Sequence, residues 1–453
     1  MEKRVLFRNL EAIVTFDPAE REIPGGWLVV EGNRITALGD GPPPPGPYHE
    51  LIDGEGKVLV PGLVNTHHHL YQTLFRAVPG AADKELFDWL VFLYERWRGI
   101  DEEAVYVSAL VGMMELLLSG CTTTTDHLYL FPRGKERLID LEIEAAQELG
   151  IRFHPTRGSM SLSREEGGLP PPDVVQTEEE ILADSERLIS RYHDPSFGAM
   201  VRIALAPCSP FSVTRELMEE TAELARRAGV LLHTHLAETE DEEEFCREKL
   251  GLRPVDYLEE VGWLEEDVWL AHLVHLNQDD IRKLGKARVG MAHCPSSNML
   301  LGSGLAPVRE LLAAGVKVGL AVDGSASNDH SNLIREARQA MLVARVRDGA
   351  EAMPARLALR LATLGGAQVL HREEEIGSLE PGKCADLVLF DVSGLEFSGA
   401  ADPVAALLHC ATQHADTVMV NGEILVRGGR LVNESLYDVV ARHREIAARL
   451  VRG

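Results

Sequence analysis

The sequence lacks the features that mark several classes of protein. It contains six cysteines, and none of them forms a Cys-x-x-Cys pair, which argues against a zinc knuckle and against a thioredoxin-like motif. No apolar run approaches the roughly 18 residues that suggest a membrane-spanning helix. Residues 1–7 turn polar too early to serve as a signal peptide. We therefore expect a cytoplasmic protein without a membrane partner, whose thiols are reduced and buried.

Positive charge is also scarce. The chain has 45 lysines and arginines against 71 aspartates and glutamates, so its formal net charge is −26. A chain this acidic repels phosphate groups, which argues against nucleic acid and against anionic membrane surfaces as partners. The length of 453 residues, with 45% hydrophobic and 26% charged residues, is typical of a globular protein with one large domain and a smaller one.

From about residue 59 to residue 325, short apolar or β-branched runs alternate with amphipathic helical stretches. This alternation is typical of strand–helix units in a parallel sheet. Eight such units predict an α/β protein built on a closed (β/α)8 barrel of the TIM type. The predicted strands are residues 59–65, 121–126, 151–156, 201–206, 230–234, 268–271, 289–292 and 316–322.

The two ends of the chain have a different pattern. Residues 1–58 and 384–432 contain short strand-like runs broken by glycine and proline. Neither end alone offers enough strands for a stable sheet. We therefore predict that residues 1–58 and 371–453 meet in one small β-sandwich domain, with a terminal helix, and that the barrel spans residues 59–370.

Metal-ligand residue types follow several of the predicted strands. His67 and His69 follow the first strand, and alternation along an extended chain places these two on one side and His68 on the other. The fifth strand is followed by His235, while His233 shares its side-chain face, so either one can be the ligand. Barrel enzymes have their active site at the carboxyl ends of the strands. We therefore predict one convergent site for a divalent metal that activates water.

Three further residues belong to the same predicted site. His272 follows the sixth strand, Asp323 follows the eighth strand, and Glu238 lies on the loop after the fifth. Neutral imidazoles and a carboxylate suit Zn²⁺ or Fe²⁺, and a carboxyl group near the water can carry its proton. Taken singly, Glu238 can also be a helix cap and Asp323 a turn residue. No lysine lies between Lys135 and Lys249, so the modified lysine that bridges two metals in binuclear barrel hydrolases is missing, and one metal ion is predicted.

In this order, these residues resemble those of the amidohydrolase superfamily, specifically its cytosine deaminase-like branch. The resemblance covers nearly the whole chain, from VPGLVNTHHH at residues 60–69 to GSLEPGKCAD at residues 377–386. It implies a hydrolytic deaminase on a barrel joined to a small β domain. It also implies residue roles: the metal ligands are His67, His69, His235 and Asp323, and the catalytic residues are Glu238, His272 and Asp323.

Within that branch, four segments resemble enzymes that deaminate 8-oxoguanine, namely residues 69–76, 84–90, 168–170 and 206–212. Triazine hydrolases of the hydroxyatrazine type, and guanine or pterin deaminases, are similar enough to stay as alternatives. The resemblance implies a small heterocyclic substrate and allows a homo-oligomer. Gln72, Trp89 and Cys208 are the candidates for contacting the ring, although each can instead be a packing residue. A non-enzymatic binding protein is disfavoured because every expected ligand position is filled.

Overall fold

The computed structural model describes residues 2–410, 412 and 414–452. Its centre is a sheet of eight parallel strands, whose order in space is their order along the chain. This arrangement confirms the predicted α/β class and the TIM-type barrel. The strands are Leu63–Asn65, Cys121–Leu128, Arg152–Ser159, Ala204–Pro207, Leu232–Leu236, Val268–His272, Gly290–His293 and Lys317–Leu320.

Hydrogen bonds between the first and last segments of this sheet close the barrel. Thr66 N–H donates to the carbonyl of Leu320 at 3.1 Å, and Asp323 N–H donates to the carbonyl of His67 at 3.2 Å. The barrel strands are almost completely buried, which explains why they read as apolar runs rather than as alternating ones. Closure therefore places the segment after the first strand beside the segment after the eighth.

Local sequence explains where several helices begin and end. Glu178–Tyr192 begins after Thr177, whose hydroxyl accepts the Glu180 N–H at 3.2 Å while the Glu180 carboxylate accepts the Thr177 N–H at 2.9 Å. Arg215–Ala228 ends at Gly229, which has a left-handed φ of 70°. The other α-helices described are Leu86–Trp97, Glu102–Leu118, Leu138–Leu149, Glu240–Phe245, Pro254–Glu260, Gln278–Ala287, Pro295–Leu300, Val308–Ala314, Leu333–Asp348, Ala355–Arg360, Gly366–Val369, Pro403–His409 and Val439–Arg452. Short 3-10 helices cover Leu70–Phe75, Leu395–Phe397 and Glu434–Asp438, and π-helical turns cover Cys246–Leu250 and Leu361–Gly365.

Both ends of the chain contribute to a small β domain. One buried apolar cluster takes Phe7 and Leu28 from a four-stranded sheet and Leu387 and Met419 from a seven-stranded sheet, so the two sheets form the predicted sandwich. In spatial order, the four-stranded sheet contains Arg34–Gly39, Trp27–Glu31, Arg4–Arg8 and Glu50–Asp53. The seven-stranded sheet contains Arg430–Leu431, Glu423–Arg427, Thr417–Val420, Leu387–Asp391, Lys57–Pro61, Ala12–Val14 and Glu22–Pro24.

The first barrel strand is shorter than predicted. The prediction of one strand at residues 59–65 is wrong, because Lys57–Pro61 pairs within the seven-stranded sheet and only Leu63–Asn65 pairs within the barrel. Gly62 separates the two strands, and a Cβ atom there would lie 2.0 Å from Thr122 Oγ1, so only glycine allows this close approach. The other seven strands match their predicted positions to within three residues at either end. The domain limits inferred from the sequence stay predictions.

Membrane-spanning helices and disulfides are both missing from the described residues. No helix there combines the length and the apolar character needed to cross a membrane. All six cysteines are free thiols, and five of them are buried. Covalent cross-links therefore contribute nothing to the stability of the described fold.

A buried pair of carboxyl groups should make the stability of the barrel depend on pH. Burial raises the pKa of both Asp126 and Glu142, and the charge of Asp126 raises that of Glu142 further. A carboxyl group whose pKa is raised in the folded state stabilises the fold fully at pH values below the pKa of an unfolded carboxyl group. This stabilisation is lost as pH rises through the raised pKa. We expect the melting temperature to fall more steeply from about pH 5 to about pH 8 in the wild type than in Glu142→Gln, whose amide does not ionise. Scanning calorimetry at several pH values checks this, and equal slopes would contradict it.

Candidate active site

The predicted site residues meet at the carboxyl ends of the barrel strands, where a parallel barrel presents its active site. All of these side chains are at least nine-tenths buried. His67 and His69 follow the first strand, and His235 lies in the fifth. His272 ends the sixth strand, and Asp323 follows the eighth.

Four of these side chains direct their ligand atoms towards one another. His67 Nε2 and His69 Nε2 lie 3.3 and 3.4 Å from Asp323 Oδ1. The Nε2 atoms of His69 and His235 are 3.1 Å apart. Two ligands about 2.1 Å from a tetrahedral ion are about 3.4 Å from each other. The buried Nε2 of His67 also has no hydrogen bond of ordinary geometry among the described residues, so the donor set fits one divalent metal ion.

Two of the histidines are oriented through their other ring nitrogen. His69 Nδ1 donates to the carbonyl of His127 at 2.7 Å, and His235 Nδ1 donates to the carbonyl of Cys208 at 2.6 Å. These bonds fix the tautomer in which the Nε2 lone pair is free. Carbonyl groups in this position are typical partners of metal-binding histidines.

His233 lies behind His67. Its Nδ1 donates to the carbonyl of Trp269 at 2.8 Å, so its Nε2 accepts a hydrogen bond from His67 Nδ1 at 2.7 Å. Its ring also stacks on the indole of Trp269, with ring centroids 4.4 Å apart. Of the two alternatives that the sequence left open, the fold therefore brings His235 to the other ligand atoms. His68 turns away from them and hydrogen-bonds a serine hydroxyl.

Burial sets the charge states of these ligand candidates. It lowers the pKa of His67 and His69 and brings that of His235 down to about 3, so the three imidazoles are neutral at physiological pH. Burial alone would raise the pKa of Asp323, but the close approach of His67, whose Nε2 lies 3.3 Å from Oδ1, together with His272 and His69, holds it well below its ordinary value. Three neutral imidazoles and one carboxylate form a donor set that suits Zn²⁺ and Fe²⁺.

Glu238 lies beside the cluster on the loop after the fifth strand. Its Oε2 is 3.4 Å from His272 Nε2, and its buried Oε1 has no hydrogen-bond partner in the described chain. Burial raises the pKa of Glu238 to about 7. The site thus combines an ionised carboxylate, Asp323, with a carboxyl group that can hold a proton near neutral pH. Such a difference in pKa separates a proton acceptor from a proton donor.

Glu242 holds the backbone that carries Glu238. Its two carboxylate oxygens accept the N–H groups of Ala237 at 2.9 Å and of Glu238 at 2.8 Å. Ala237 has a left-handed φ of 52°, which a residue with a side chain keeps only when its surroundings hold it there. The acidic first turn of the helix Glu240–Phe245 therefore positions the candidate proton carrier.

Glu242→Gln should weaken this support. A glutamine has a single side-chain oxygen, so one of the two N–H groups loses its acceptor, and a hydrogen bond to a charged group contributes about 1.5–3 kcal/mol. We expect kcat to fall by about tenfold, which corresponds to about 1.4 kcal/mol, while the bound metal stays at the wild-type level. Steady-state kinetics with metal analysis of the same sample checks this. An unchanged kcat would show that the loop keeps its conformation without Glu242.

His272 reaches both carboxyl groups of the site. Its Nδ1 donates to Asn298 Oδ1 at 2.8 Å, which orients the ring. Its Nε2 lies 3.4 Å from Glu238 Oε2 and 4.0 Å from Asp323 Oδ2. Burial alone would lower the pKa of His272, but the charges of Glu238 and Asp323 raise it. When His272 is protonated, its Nε2–H is held between these two carboxyl groups and can donate to an oxygen on which negative charge develops.

A cavity beside the cluster is lined by all three predicted substrate contacts, Gln72, Trp89 and Cys208. Its wall combines aromatic and aliphatic side chains with the imidazole, carboxyl and carboxamide groups of the site. Further lining residues that the sequence did not single out include Tyr129, Phe211, Leu301 and Ser327.

Gln72 is held in place by the loop after the eighth strand. Its backbone N–H donates to the carbonyl of His69 at 3.0 Å, and its Oε1 accepts the N–H of Ala326 at 3.3 Å. A Cβ atom at Gly324 would lie 1.9 Å from that Oε1, so the glycine next to Asp323 is required for this arrangement. The carboxamide therefore has a defined position in the cavity wall.

Trp89 and Cys208 contribute to packing as well as to the cavity. Trp89 lies in the helix Leu86–Trp97, and its ring meets that of Trp97 edge to face, with centroids 5.3 Å apart. The carbonyl of Cys208 orients His235, and burial raises the pKa of its thiol to about 12, which keeps the sulfur neutral. Contact of either side chain with a substrate stays a prediction.

His127 is a neighbour of the cluster that the sequence did not reveal. It lies in the strand Cys121–Leu128, which continues two residues beyond its predicted end. One ligand-type atom of His127 lies within 4.8 Å of those of three candidate ligands. Its ring stacks on that of His235 with centroids 4.8 Å apart, and its Nε2 donates to the carbonyl of Ala206 at 3.0 Å. These contacts let His127 support the ligands by packing.

The chain matches the model of the amidohydrolase family over residues 58–425, and it belongs to this family. It is similar to the 8-oxoguanine deaminase of Pseudomonas aeruginosa, with 52% identity over 99% of this chain and 100% of that protein. It is also similar to the hydroxydechloroatrazine ethylaminohydrolase of Pseudomonas sp. (strain ADP), with 36% identity over 94% of this chain and 91% of that protein. These relatives confirm the predicted family and the prediction of a hydrolase that acts on carbon–nitrogen bonds.

A solved structure agrees with the fold. The atrazine chlorohydrolase of Arthrobacter aurescens, crystallised with zinc, superposes with a TM-score of 0.94 at 36% identity. The match covers 99% of this chain and 100% of that one. It confirms the barrel together with the small domain, because the superposition extends over the whole chain.

Proposed function

We propose that this enzyme removes the exocyclic amine of 8-oxoguanine by hydrolysis and releases ammonia. The observation that carries the proposal is the pair of carboxyl groups, Glu238 and Asp323, that face one imidazole beside a set of metal-ligand atoms. The 52% identity to the 8-oxoguanine deaminase of Pseudomonas aeruginosa over the whole chain supports this substrate.

We propose that His67, His69, His235 and Asp323 hold one divalent ion, Zn²⁺ or Fe²⁺. The spacing of their ligand atoms and the buried, unbonded Nε2 of His67 support this set. Zinc is favoured by the atrazine chlorohydrolase crystallised with zinc, although the same donors suit iron. When bound, such an ion supplies Lewis acidity, which lowers the pKa of a water to about 7.

The residues of the chain would manage the protons of the reaction. Asp323 accepts a proton from the attacking water, whose oxygen bonds to the ring carbon that bears the amine. Glu238, with its pKa of about 7, donates a proton to the adjacent ring nitrogen. His272 donates a hydrogen bond to the oxygen as charge develops on it. The proton held by Asp323 then passes to the amine, the carbon–nitrogen bond breaks, and ammonia leaves. The hydroxyl proton that remains on the oxygen returns to the Glu238 carboxylate as the ring carbonyl forms.

Substrate recognition would depend on the cavity wall. We propose that the carboxamide of Gln72 hydrogen-bonds a polar edge of the ring and that Trp89 and Cys208 contact the ring itself. The fixed Oε1 of Gln72 supports an orienting role, because a carboxamide pinned at one atom presents the other in a constant direction.

A triazine hydrolase that releases an alkylamine or a halide is the second candidate. It is favoured by the 36% identity to the hydroxydechloroatrazine ethylaminohydrolase and by the TM-score of 0.94 with the atrazine chlorohydrolase. The same ligand set and the same two carboxyl groups would serve that reaction. The substrate therefore has to be decided by measurement.

A substrate panel tests the proposed function. Zinc-loaded protein is incubated with 8-oxoguanine, guanine, isoxanthopterin, cytosine and hydroxyatrazine, and the released amine is identified and timed. We expect ammonia from 8-oxoguanine, with kcat/KM at least about tenfold above that of any other compound, since a site built for a polar ring substituent rejects analogues that lack it. Release of ethylamine or isopropylamine from hydroxyatrazine, with no ammonia from the purines, would replace the proposed substrate by the second candidate.

A further inference from the structure

A second polar cavity lies at the opposite end of the barrel, near the amino ends of the strands. Its volume is about 180 Å³, and it borders the segments that lead into Ala204–Pro207 and Leu232–Leu236. A water molecule occupies about 30 Å³ in the liquid, so the cavity has room for an ion of several heavy atoms. The side chains that bring polar nitrogen atoms to its wall are those of His154, His193, Arg202 and His371, and no carboxylate is among its lining residues.

The buried charges around this cavity are not balanced. Arg202 and Arg372 both pair with the single carboxylate of Glu375. The neighbouring Arg152 is matched separately by Asp386 at 2.9 Å. Two guanidinium groups therefore share one negative charge. A buried charge without a counter-charge is costly, so this end of the barrel favours an anion.

Two imidazoles that line the cavity, those of His193 and His154, can donate hydrogen bonds to such an anion. The Nδ1 of His193 accepts the N–H of Ile203 at 3.1 Å, which leaves its Nε2–H as a donor. His154 is 2% exposed, and its Nδ1 has no partner among the described residues. Arg372 Nη1 also has no partner there, but this fully buried side chain lies behind the cavity and is not among its lining residues. Unsatisfied polar atoms of this kind are rare in folded proteins and call for a ligand or water.

Arginine side chains act on the pKa of both histidines. Burial lowers the pKa of His154 well below its ordinary value, and the charges of Arg372 and Arg202 lower it further. The pKa of His193 is lowered by burial and then by Arg202. Nearby cations disfavour a protonated imidazole, so Arg202 acts on both rings, while for His193 the carboxylate of Asp194 acts in the opposite sense.

We propose that this cavity binds a small tetrahedral oxyanion of the phosphate class. Arg202 would supply the charge, and the imidazoles of His154 and His193 would supply hydrogen-bond donors. The site lies at the end of the barrel where residues serve stability rather than catalysis. Binding of the anion would therefore stabilise the fold without entering the reaction. The net charge of −26 makes such a pocket distinctive, because most of the surface repels anions.

Titration of the metal-loaded protein with inorganic phosphate tests the proposal, by calorimetry and by the shift in melting temperature. Potassium chloride of equal ionic strength serves as the reference, since it screens charges without offering a tetrahedral anion. We expect saturable binding of phosphate to the wild type and a higher melting temperature. In His193→Glu, whose carboxylate can still accept the Ile203 N–H but repels the anion, the affinity should fall by at least about tenfold.

His49→Glu is the matched control. His49 is exposed, and its Nδ1 also accepts a backbone N–H, that of Arg4 at 2.9 Å, so this variant has the same change in net charge and the same kind of hydrogen bond. It should bind phosphate like the wild type. If His193→Glu does not fold, Arg202→Gln takes its place, with the same loss expected. Absence of saturable binding, or equal affinity in the cavity variant and the control, would overturn the proposal.

Discussion

Glu238→Gln is expected to lower kcat for the deamination of 8-oxoguanine by on the order of 10²–10⁴-fold, because the amide cannot donate and accept the proton that the ring nitrogen needs. The pKa of about 7 makes Glu238 the carboxyl group of the site best suited to hold that proton. The change keeps the size of the side chain, so metal content and melting temperature should stay close to the wild type. Ammonia release under saturating substrate measures the effect.

Glu336→Gln is the control for this experiment. Glu336 is also buried with a pKa of about 7, but its carboxylate accepts the Ser296 N–H and the Asn328 amide and does not line the cavity. The Glu336→Gln variant should retain activity within about tenfold of the wild type, because it loses one hydrogen bond of ordinary strength. Equal activity of Glu238→Gln and the wild type would remove Glu238 from the proposed mechanism.

His69→Ala should lose most of its bound metal, and with it the deaminase activity. Loss of a residue that only hydrogen-bonds to a metal ligand weakens metal binding by roughly 10–100-fold. Removing one of the four proposed ligands themselves should weaken it by more than that. Plasma mass spectrometry of dialysed protein gives the metal per chain, and competition with a chelator gives the affinity.

The adjacent His68→Ala is a matched control. His68 is as deeply buried as its neighbour, but its Nε2 lies 2.8 Å from Ser331 Oγ and not near the ligand atoms. The His68→Ala variant should be less stable than the wild type and should keep one metal ion per chain. Loss of metal in both variants alike would mean that unfolding, and not ligand removal, releases the ion. Retention of metal in His69→Ala would contradict the proposed ligand set.

Much of the site could be predicted because its residues follow short, regular strands. Alternation along the chain separates His68 from His67 and His69, and the structure shows that separation. Parallel strands bring their carboxyl ends to one edge, so residues more than 250 positions apart, such as His67 and Asp323, could be expected to meet. Both inferences need only the period of a strand and the topology of a barrel.

Residues that act through tertiary contacts could not be found in this way. The roles of His127 and Asn298 depend on which ring each one contacts, and their positions along the chain do not predict these contacts. Glu242 lies within the acidic run of residues 240–244, a pattern typical of a solvent-exposed face, yet it is fully buried and holds two backbone N–H groups. The break at Gly62 is also invisible in a continuous apolar run, because its cause is the close approach of Thr122.

Titration of metal-free protein with Zn²⁺, with the rate of ammonia release from 8-oxoguanine as the readout, tests the proposed metal-dependent deamination most directly. One site made by His67, His69, His235 and Asp323 predicts no turnover without metal and a rate that rises linearly to a plateau at one zinc ion per chain. Turnover by the metal-free protein, a plateau only at two ions per chain, or no ammonia at any zinc content would contradict it.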